Sequence, residues 1–341
     1  MALRLLVSLA AAAASPLLDA SPSFYGLTLV TNGPATFGLV QLDGATGAGK
    51  VVGPAHKELF GCSDLVAVAH GVLFYLGDTH DGATLVGLNV TDGTEVCSKP
   101  VGHGLEEVGF VGMGQSLDFD PTTDTLVLSG LVNGTTTGPS HAVFTSPAAG
   151  CGPFKAGVTY GDSAFLPMLH SSSLDAEGQR LFVLLATAKQ APTAVGIVDL
   201  SGKAPMAVVA EGPAPADTLV GMHWDAKTKS LVGITADAAN GLSLHSLQPA
   251  NSGTWNAPVK ITGVPANWNA LYGNGATVST FDAARRSVHF IAGVQNGDGD
   301  IVSEFLAAVD VDSGALKAQP KLAPVGLGGS GLQALAVAGS V

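Results

Sequence analysis

Residues 219–235 read LVGMHWDAKTKSLVGIT: an apolar residue and an Asp, then five turn-forming residues, then a second apolar run. The same phrase occurs three more times, at Phe119-Asp120 leading to Leu126, Leu174-Asp175 leading to Leu181, and Phe281-Asp282 leading to Val288. The Asp recurs roughly every fifty residues, and each phrase predicts two short strands around a tight turn. Repetition at this period indicates an all-β array built from similar units.

A second phrase follows the first in the repeat. It alternates apolar and small residues and ends in a turn with Asp, Ser or Thr before Gly. The clear cases are Phe37–Gly44, Leu85–Gly93, Ile197–Gly202 and Ala308–Gly314, with looser versions at 142–152 and 242–253. Alternation with period two buries one face of each strand, and the turn closes a hairpin. Two hairpins make four strands, which is one blade of a β-propeller.

The sequence therefore predicts an all-β chain folded as a propeller of six four-stranded blades, with seven as the alternative. The predicted blades are 23–60 with 331–339, then 64–101, 115–157, 170–212, 218–262 and 276–320. The first blade lacks a clear first strand, and residues 332–338 form a strand phrase with no hairpin after it. Pairing the two would close the ring and remove an exposed sheet edge.

The repeated Asp has a local explanation. Its carboxylate can accept hydrogen bonds from the backbone N–H groups of its own turn. A carboxylate that recurs at one place in four units performs the same local task four times, whereas a catalytic carboxylate has no need to repeat. We therefore interpret these Asp residues as structural.

The pair of phrases resembles the six- and seven-bladed propellers of the YVTN and TolB-like type, whose blades carry a similar apolar-Asp-x-x-x-Gly phrase. The resemblance covers nearly all of residues 21–341. Motifs of narrower families are missing: the Gly-Gly and Trp of kelch units, the Gly-His and Trp-Asp of WD repeats, and the Asp box of sialidases. The resemblance implies a fold and carries no activity across.

Composition limits the partners. Charged residues make up 12% of the chain, about half the usual share, and the net charge is −12. The 15 Lys and Arg residues cluster nowhere beyond Arg285-Arg286. Binding to nucleic acid or to an anionic membrane surface needs a basic patch, so a polyanionic partner is disfavoured. A cationic or neutral partner remains open.

The N-terminus predicts export. Arg4 precedes an uncharged run from Leu5 to Ala14, and small residues follow, so residues 1–20 read as a secretory signal peptide with cleavage after Ala14 or Ala20. A buried first strand or helix is the alternative. The mature chain, 21–341, is expected to be a secreted, extracellular, monomeric single domain without a membrane span.

Two acceptor triplets for N-glycosylation agree with export. They begin at Asn89, which lies in a predicted strand, and at Asn133, which lies in a predicted loop and is the better candidate. The three cysteines, Cys62, Cys97 and Cys151, permit at most one internal bridge. We favour a bridge that involves Cys97, because the other two cysteines fall in neighbouring units, and free buried thiols are the alternative.

Ligands of propellers usually meet the face where the inner strands begin, which we call the loop face. The candidate ligand-binding residues are polar and aromatic residues of the loops that enter the third, fourth and sixth blades: His103, Glu106, Glu107, Tyr160, Asp162, His170, Trp268 and Tyr272. Each also has a structural interpretation: Trp268 and Tyr272 as a cover for a blade end, the glutamates as a solvated pair, and His170 as a hydrogen-bonded strand residue.

Asn296, Asp298 and Asp300 mimic the first half of a calcium loop, with oxygen ligands at alternate positions. Ile301 and Ala307 stand where such a loop needs Gly and Glu, and an ordinary Asn-Gly and Asp-Gly hairpin, which we favour, explains the residues well. Ca²⁺ is therefore the single candidate cofactor.

No Gly-x-Ser-x-Gly nucleophile motif or phosphate-binding Gly-rich loop is present, and we predict no defined catalysis. The favoured hypothesis is a secreted binding module for a protein or glycan at the loop face. A secreted hydrolase or lactonase with carboxylate and His residues at the loop face, with or without a metal, is the alternative. A structural role in a cell wall or matrix is the third hypothesis.

Overall fold

The computed structural model describes the strands and most of the turns at their ends. The described residues are 23–31, 36–57, 66–79, 82–102, 116–131, 141–160, 165–187, 192–211, 219–236, 241–250, 255–266, 268, 270–271, 278–298, 301–323 and 332–337. Within these residues the secondary structure is all β, arranged as six antiparallel sheets.

The sheets follow one another along the chain as blades. Blade 1 contains β1 (Ser23–Thr31), β2 (Thr36–Asp43) and β3 (Gly49–Lys57); blade 2 contains β4 (Val66–Ala69), β5 (Val72–Thr79), β6 (Gly82–Asn89) and β7 (Glu95–Pro100). Blade 3 contains β8 (Ser116–Asp120), β9 (Thr125–Leu131), β10 (His141–Pro147) and β11 (Lys155–Tyr160). Blade 4 contains β12 (Phe165–Asp175), β13 (Arg180–Thr187), β14 (Pro192–Asp199) and β15 (Ala207–Glu211).

Blade 5 contains β16 (Leu219–Asp225), β17 (Ser230–Ala236), β18 (Leu242–Leu247) and β19 (Val259–Lys260). Blade 6 contains β20 (Ala270–Leu271), β21 (Ser279–Asp282), β22 (Ser287–Gln295), β23 (Ile301–Asp310) and β24 (Leu316–Ala318). The last strand, β25 (Leu332–Val337), returns to blade 1. The prediction of a six-bladed propeller is confirmed.

The C-terminal strand closes the ring. Strand β25 pairs antiparallel with β1, and Leu27 lies opposite Ala334. Gly26 makes this pairing possible, since a Cβ there would lie 2.2 Å from the backbone oxygen of Ala334. The innermost strands β25, β4, β8, β12, β16 and β21 contact one another in ring order. Closure by 332–338 was predicted and is confirmed.

The hydrophobic core lies between the blades. Buried apolar side chains form one cluster at each seam between neighbouring blades. Successive strand residues serve opposite seams: Leu126 packs between blades 2 and 3, whereas Val127 packs between blades 3 and 4. Successive residues of a strand point to opposite faces of the blade, and each face packs against a different neighbouring blade. The period-two alternation follows from this arrangement.

The repeated Asp residues cap their own turns, as predicted. The Oδ1 atoms accept backbone hydrogen bonds from Thr122 to Asp120 (2.8 Å), Gly178 to Asp175 (3.0 Å), Lys227 to Asp225 (3.1 Å) and Arg285 to Asp282 (2.9 Å). The residue before each second strand has a positive φ, with values of 49–54° at Asp124, Gln179, Lys229 and Arg286. The four units therefore share one turn geometry.

These turns also link neighbouring blades. Gln179 Nε2 donates to Asp120 Oδ2 of blade 3 at 2.9 Å, and Arg286 NH1 donates to Asp225 Oδ1 of blade 5 at 2.7 Å. In both links the residue with positive φ reaches the repeated Asp of the preceding blade. The repeat thus builds a chain of polar contacts along the edge opposite the loop face.

A disulfide bond joins Cys97 on β7 to Cys151 in the turn after β10, with 5.8 Å between the Cα atoms. The bridge crosses from blade 2 to blade 3 and spans 54 residues of sequence. The prediction of a bridge involving Cys97 is confirmed, and Cys62 lies outside the described residues.

Removing this bridge is expected to lower the free energy of unfolding by about 2–4 kcal/mol, mainly because the unfolded chain gains freedom. Urea unfolding of a Cys97→Ser/Cys151→Ser variant measures the loss. Dithiothreitol should lower the midpoint of the wild type and of Cys62→Ser, and should leave the double variant unchanged. Three free thiols titrated in the unreduced protein would contradict the bond.

Candidate functional site

The inner strands surround a central cavity of about 290 Å³, close to the lower end of the range for small-molecule sites. Polar lining residues occupy four consecutive strands: Ser116 and Asp118 on β8, Ser172 and Ser173 on β12, His223 on β16, and Ser279 and Thr280 on β21. Strands β4 and β25 contribute Val66, Ala67, Val68, Leu335, Ala336 and Val337. The described polar lining is therefore confined to four strands, where apolar residues such as Leu117, Met222 and Trp224 also line the cavity.

The pairing of the strands fixes the direction in which Asp118 points. Asp118 lies opposite Val127 on β9, and Val127 packs in the cluster between blades 3 and 4. Directly opposed residues of an antiparallel pair share one face of the sheet. Asp118 therefore faces blade 4, and Ser116, two residues earlier on the strand, faces the same way.

Ser172 faces the opposite way, towards blade 3. Its neighbour at the same face of β12 is Leu174, which packs against the cluster between blades 3 and 4. Ser116 and Asp118 thus face the same seam as Ser172, between blades 3 and 4, and all three residues line the central cavity. We call these three residues the Asp118 cluster.

The seam between blades 5 and 6 holds an equivalent pair. His223 and Asp118 each stand two residues before the Asp of their turn, and Ser279 and Ser172 each stand three residues before theirs. His223 Nε2 lies 3.1 Å from Ser279 Oγ, so this pair makes a hydrogen bond. The repeat places a carboxylate and a hydroxyl at one seam where it places an imidazole and a hydroxyl at the other.

The Asp118 cluster differs because three of its four side-chain oxygens have no hydrogen-bond partner among the described residues. Asp118 Oδ2, Ser116 Oγ and Ser172 Oγ are all buried and unpaired. Burial raises the pKa of the Asp118 carboxyl to about 7. A carboxyl with this pKa carries only part of its charge near neutral pH, and a bound donor or cation would favour the charged form.

His223 is held in the neutral state. Burial lowers the pKa of its imidazole to about 4, so the ring carries no charge at physiological pH. A bulge at Gly221 sets its position: the pairing of β16 with β17 shifts there, and Gly221 has a φ of 70°. A Cβ at Gly221 would lie 2.0 Å from Ser279 Oγ and 2.7 Å from His223 Nε2.

The channel can bind hydrogen-bond donors at the Asp118 cluster, which offers one carboxylate and two hydroxyl oxygens. Asp118 is the single carboxylate among the described lining residues. In the part of the chain that the structure covers, no group of three or more His, Cys, Asp and Glu residues could hold a metal ion. The described geometry is therefore that of a binding site with one ionisable acceptor.

Five of the predicted ligand-binding residues lie outside the described residues: His103, Glu106, Glu107, Asp162 and Tyr272. They stay predictions. His170 lies within β12, between Pro167 and Ser172, where the pairing with β13 is interrupted by extra residues. This irregular stretch immediately precedes the Asp118 cluster residue Ser172.

The two predicted aromatic residues that are described are both buried. Tyr160 ends strand β11 of blade 3 instead of lying in the loop before blade 4, and its hydroxyl hydrogen-bonds Ser129 Oγ. Burial, only partly offset by this bond, raises the pKa of the Tyr160 hydroxyl. Trp268 packs between blades 5 and 6 with its ring centroid 5.5 Å from that of Phe305. Its position agrees with the alternative role of covering a blade end.

The predicted calcium segment is a turn in its described part. Asn296 and Asp298 are exposed, and Asn296 Oδ1 accepts a hydrogen bond from the Asp298 backbone N–H at 3.0 Å. Asp300 lies outside the described residues, so calcium binding here stays a prediction. Of the two glycosylation acceptors, Asn133 is also outside them, and Asn89 is the half-buried last residue of β6.

Sequence reasoning placed the site in the loops and missed the Asp118 cluster. A signal was present: Asp118 and His223 are polar residues inside strands predicted to be buried. A polar residue within a predicted core strand needs either a partner or a function.

No protein-family model matches this chain, and no curated protein does. Solved structures with similar folds include TolB from Acinetobacter baumannii, with 11% identity, coverage of 89% of this chain and 66% of that one, and a TM-score of 0.52. A proposed 6-phosphogluconolactonase from Bacteroides fragilis shares 10% identity over 95% of this chain and 100% of that one, with a TM-score of 0.51.

A third similar structure is a protein of unknown function from Desulfotomaculum acetoxidans, with 10% identity, coverage of 92% and 88%, and a TM-score of 0.50. Identities this low show the fold alone, and they agree with the expected TolB-like propeller. None of the described elements is a helix long and apolar enough to span a membrane.

Proposed function

We propose that the protein is an exported binding propeller that holds a protein or glycan partner at its central channel without chemically changing it. The observation that supports this proposal is the Asp118 cluster, whose buried oxygens have no partner among the described residues. Unpaired buried polar groups cost stability, and a ligand that enters the channel would satisfy them. The apolar lining residues of the channel give the same ligand a hydrophobic contact.

Two observations support export. The disulfide between Cys97 and Cys151 is a bond that forms and persists in oxidising compartments. The signal-like N-terminus and the acceptor triplet at Asn133 point the same way.

The test begins with the full chain expressed in a secreting host, where the exported protein should start after Ala14 or Ala20. The purified protein is then screened against immobilised glycans and extracellular proteins. The mass of each captured ligand is measured by mass spectrometry, which shows whether the ligand is intact or cleaved. We expect saturable binding of a ligand that is recovered intact. Intracellular retention would contradict export, and recovery of a cleaved ligand would contradict a purely binding role.

A hydrolase is the second candidate, and one observation favours it. A carboxyl with a pKa of about 7 is poised to act as a general base or acid near neutral pH. Under this alternative the protein would turn over simple lactones or aryl glycosides, and Asp118→Asn would abolish that turnover. Under our proposal neither the wild type nor the variant releases product.

A further inference from the structure

We propose that the Asp118 cluster binds a primary alkylammonium group, such as the lysine side chain or the N-terminal amine of a partner, inserted into the central channel. The inference rests on the proposed function, because it names the chemistry that the channel recognises. It is carried by three unpaired oxygens at one seam and by the apolar residues that share the cavity with them.

The charge of the site selects a cation. Asp118 is the single charged acceptor of the described lining, and no Lys or Arg lies among those lining residues. The whole chain carries a net charge of −12, which attracts cationic ligands at a distance. A ligand anion or carboxylate would meet unfavourable electrostatics at Asp118.

The number and kind of acceptors select an ammonium group over a metal ion. An ammonium group has three N–H donors, and the Asp118 cluster offers three acceptor oxygens: one carboxylate and two hydroxyls. Calcium takes about six to eight oxygen ligands and magnesium six in near-ideal octahedral geometry, so either ion would need several waters in addition to the three oxygens of this cluster. One carboxylate and two hydroxyls form a poor metal site but a complete set of partners for –NH₃⁺.

The shape of the channel selects an alkyl chain behind the charge. Strands β4 and β25 contribute only apolar residues to the described lining, among them Val66, Val68, Leu335 and Val337. Side chains such as lysine bury their methylene stem against apolar surface while the charged head keeps polar partners. A slender chain also suits a cavity of about 290 Å³.

The equivalent positions at the seam between blades 5 and 6 do not form a second ammonium site. There the repeat places His223 against Ser279, and the two side chains bond to each other. The neutral imidazole offers no charge, because burial lowers its pKa to about 4. The same backbone positions therefore give a closed pair at one seam and an open acceptor set at the other.

The test titrates the purified protein with n-butylammonium chloride at pH 8, with 1-butanol and calcium chloride as comparison ligands, by calorimetry and by amide NMR shifts. We expect saturable butylammonium binding with shifts at channel residues, and no saturable binding of butanol. Asp118→Asn should weaken butylammonium binding by roughly 10–100-fold, as expected for loss of a charged hydrogen bond, and Ser172→Ala by a smaller factor.

Glu95→Gln is the matched control, since it removes the same charge from an exposed position on β7 outside the channel lining. It should bind butylammonium like the wild type. Equal affinity in Asp118→Asn, absence of saturable butylammonium binding in the wild type, or saturable Asp118-dependent binding of calcium alone would each overturn the ammonium site.

The two proposals can fail separately. A partner found by the screen, together with no saturable butylammonium binding in the wild type, would keep the binding function and overturn the ammonium site. Saturable, Asp118-dependent butylammonium binding would establish the ammonium site even if captured ligands were recovered cleaved.

Discussion

Arg286→Ala is expected to lower the free energy of unfolding by about 3–5 kcal/mol, the usual cost of removing one partner from a buried ion pair. Arg286 NH1 donates to Asp225 Oδ1 at 2.7 Å, and the side chains are only 11% and 2% exposed. The same guanidinium also bonds Asp312. The substitution leaves the Asp225 carboxylate buried at the seam between blades 5 and 6 without its cation.

Lys229→Ala is the matched control for this loss. Lys229 occupies the same turn position in blade 5, and both residues have a φ of 53°. Any cost of placing Ala in a left-handed conformation is therefore common to both variants. The Lys229–Glu177 ion pair has side chains that are 58% and 76% exposed, so its removal should change stability little. Equal losses in urea unfolding would assign the effect to the backbone instead of the ion pair.

The loss should also depend on pH. Burial alone would raise the pKa of Asp225, but hydrogen bonds from Arg286 and Thr228 outweigh it, and the pKa lies below its usual value. A lowered pKa in the folded state stabilises the protein above the unfolded pKa, and this contribution disappears as pH falls through the folded pKa. The difference in the free energy of unfolding between the wild type and Arg286→Ala should therefore become smaller at acidic pH.

The same carboxylate shows which features the sequence could reveal. The capping of its turn was predictable, because Asp225 and the N–H of Lys227 are two residues apart. Its bond to Arg286 was not, since the two residues are 61 positions apart and meet only when the ring brings consecutive blades together. Local hydrogen bonds follow from local sequence, whereas contacts between blades require the closed ring.

The candidate site likewise combines local features, which the sequence indicates, with contacts between blades, which it does not. Asp118 lies within the predicted blade 115–157, directly before the Phe119-Asp120 phrase, but its lack of a partner depends on which side chains the next blade presents. Tyr160 was assigned to a loop because β11 extends further than its pattern indicated, and the extra residues bury the ring. Burial of polar groups at seams is thus a property of pairs of blades, which no single phrase encodes.

Asp118→Asn is expected to raise the free energy of unfolding at pH 8 by about 2–3 kcal/mol. The difference between a pKa of 3.8 and one of about 7 corresponds to roughly 4 kcal/mol, and relaxation of the protein around the buried charge reduces that figure. The folded state with a raised pKa resists ionisation, so the unfolded chain gains stability relative to it as pH rises. Asn keeps the shape of the side chain and removes the charge.

The pH profile identifies the group responsible. The two proteins should be about equally stable below pH 4, diverge between pH 4 and 7, and differ by a constant amount above that interval. The other titratable residues on β8 and on the packed strands β12 and β16 are Asp120, His170, Asp175, His223 and Asp225. All are present in both proteins, as they are in the control Glu95→Gln, so their contributions cancel in the difference.

Urea unfolding across this pH range measures the difference, and an Asn variant that is no more stable at pH 8 would show that the carboxylate is already satisfied.

The effect of butylammonium chloride on stability tests whether the same carboxylate binds an ammonium group. An ammonium group bound to the folded state would stabilise the wild type in proportion to its affinity. The salt should therefore narrow the gap between the wild type and Asp118→Asn at pH 8, whereas sodium chloride at the same concentration should leave most of that gap in place.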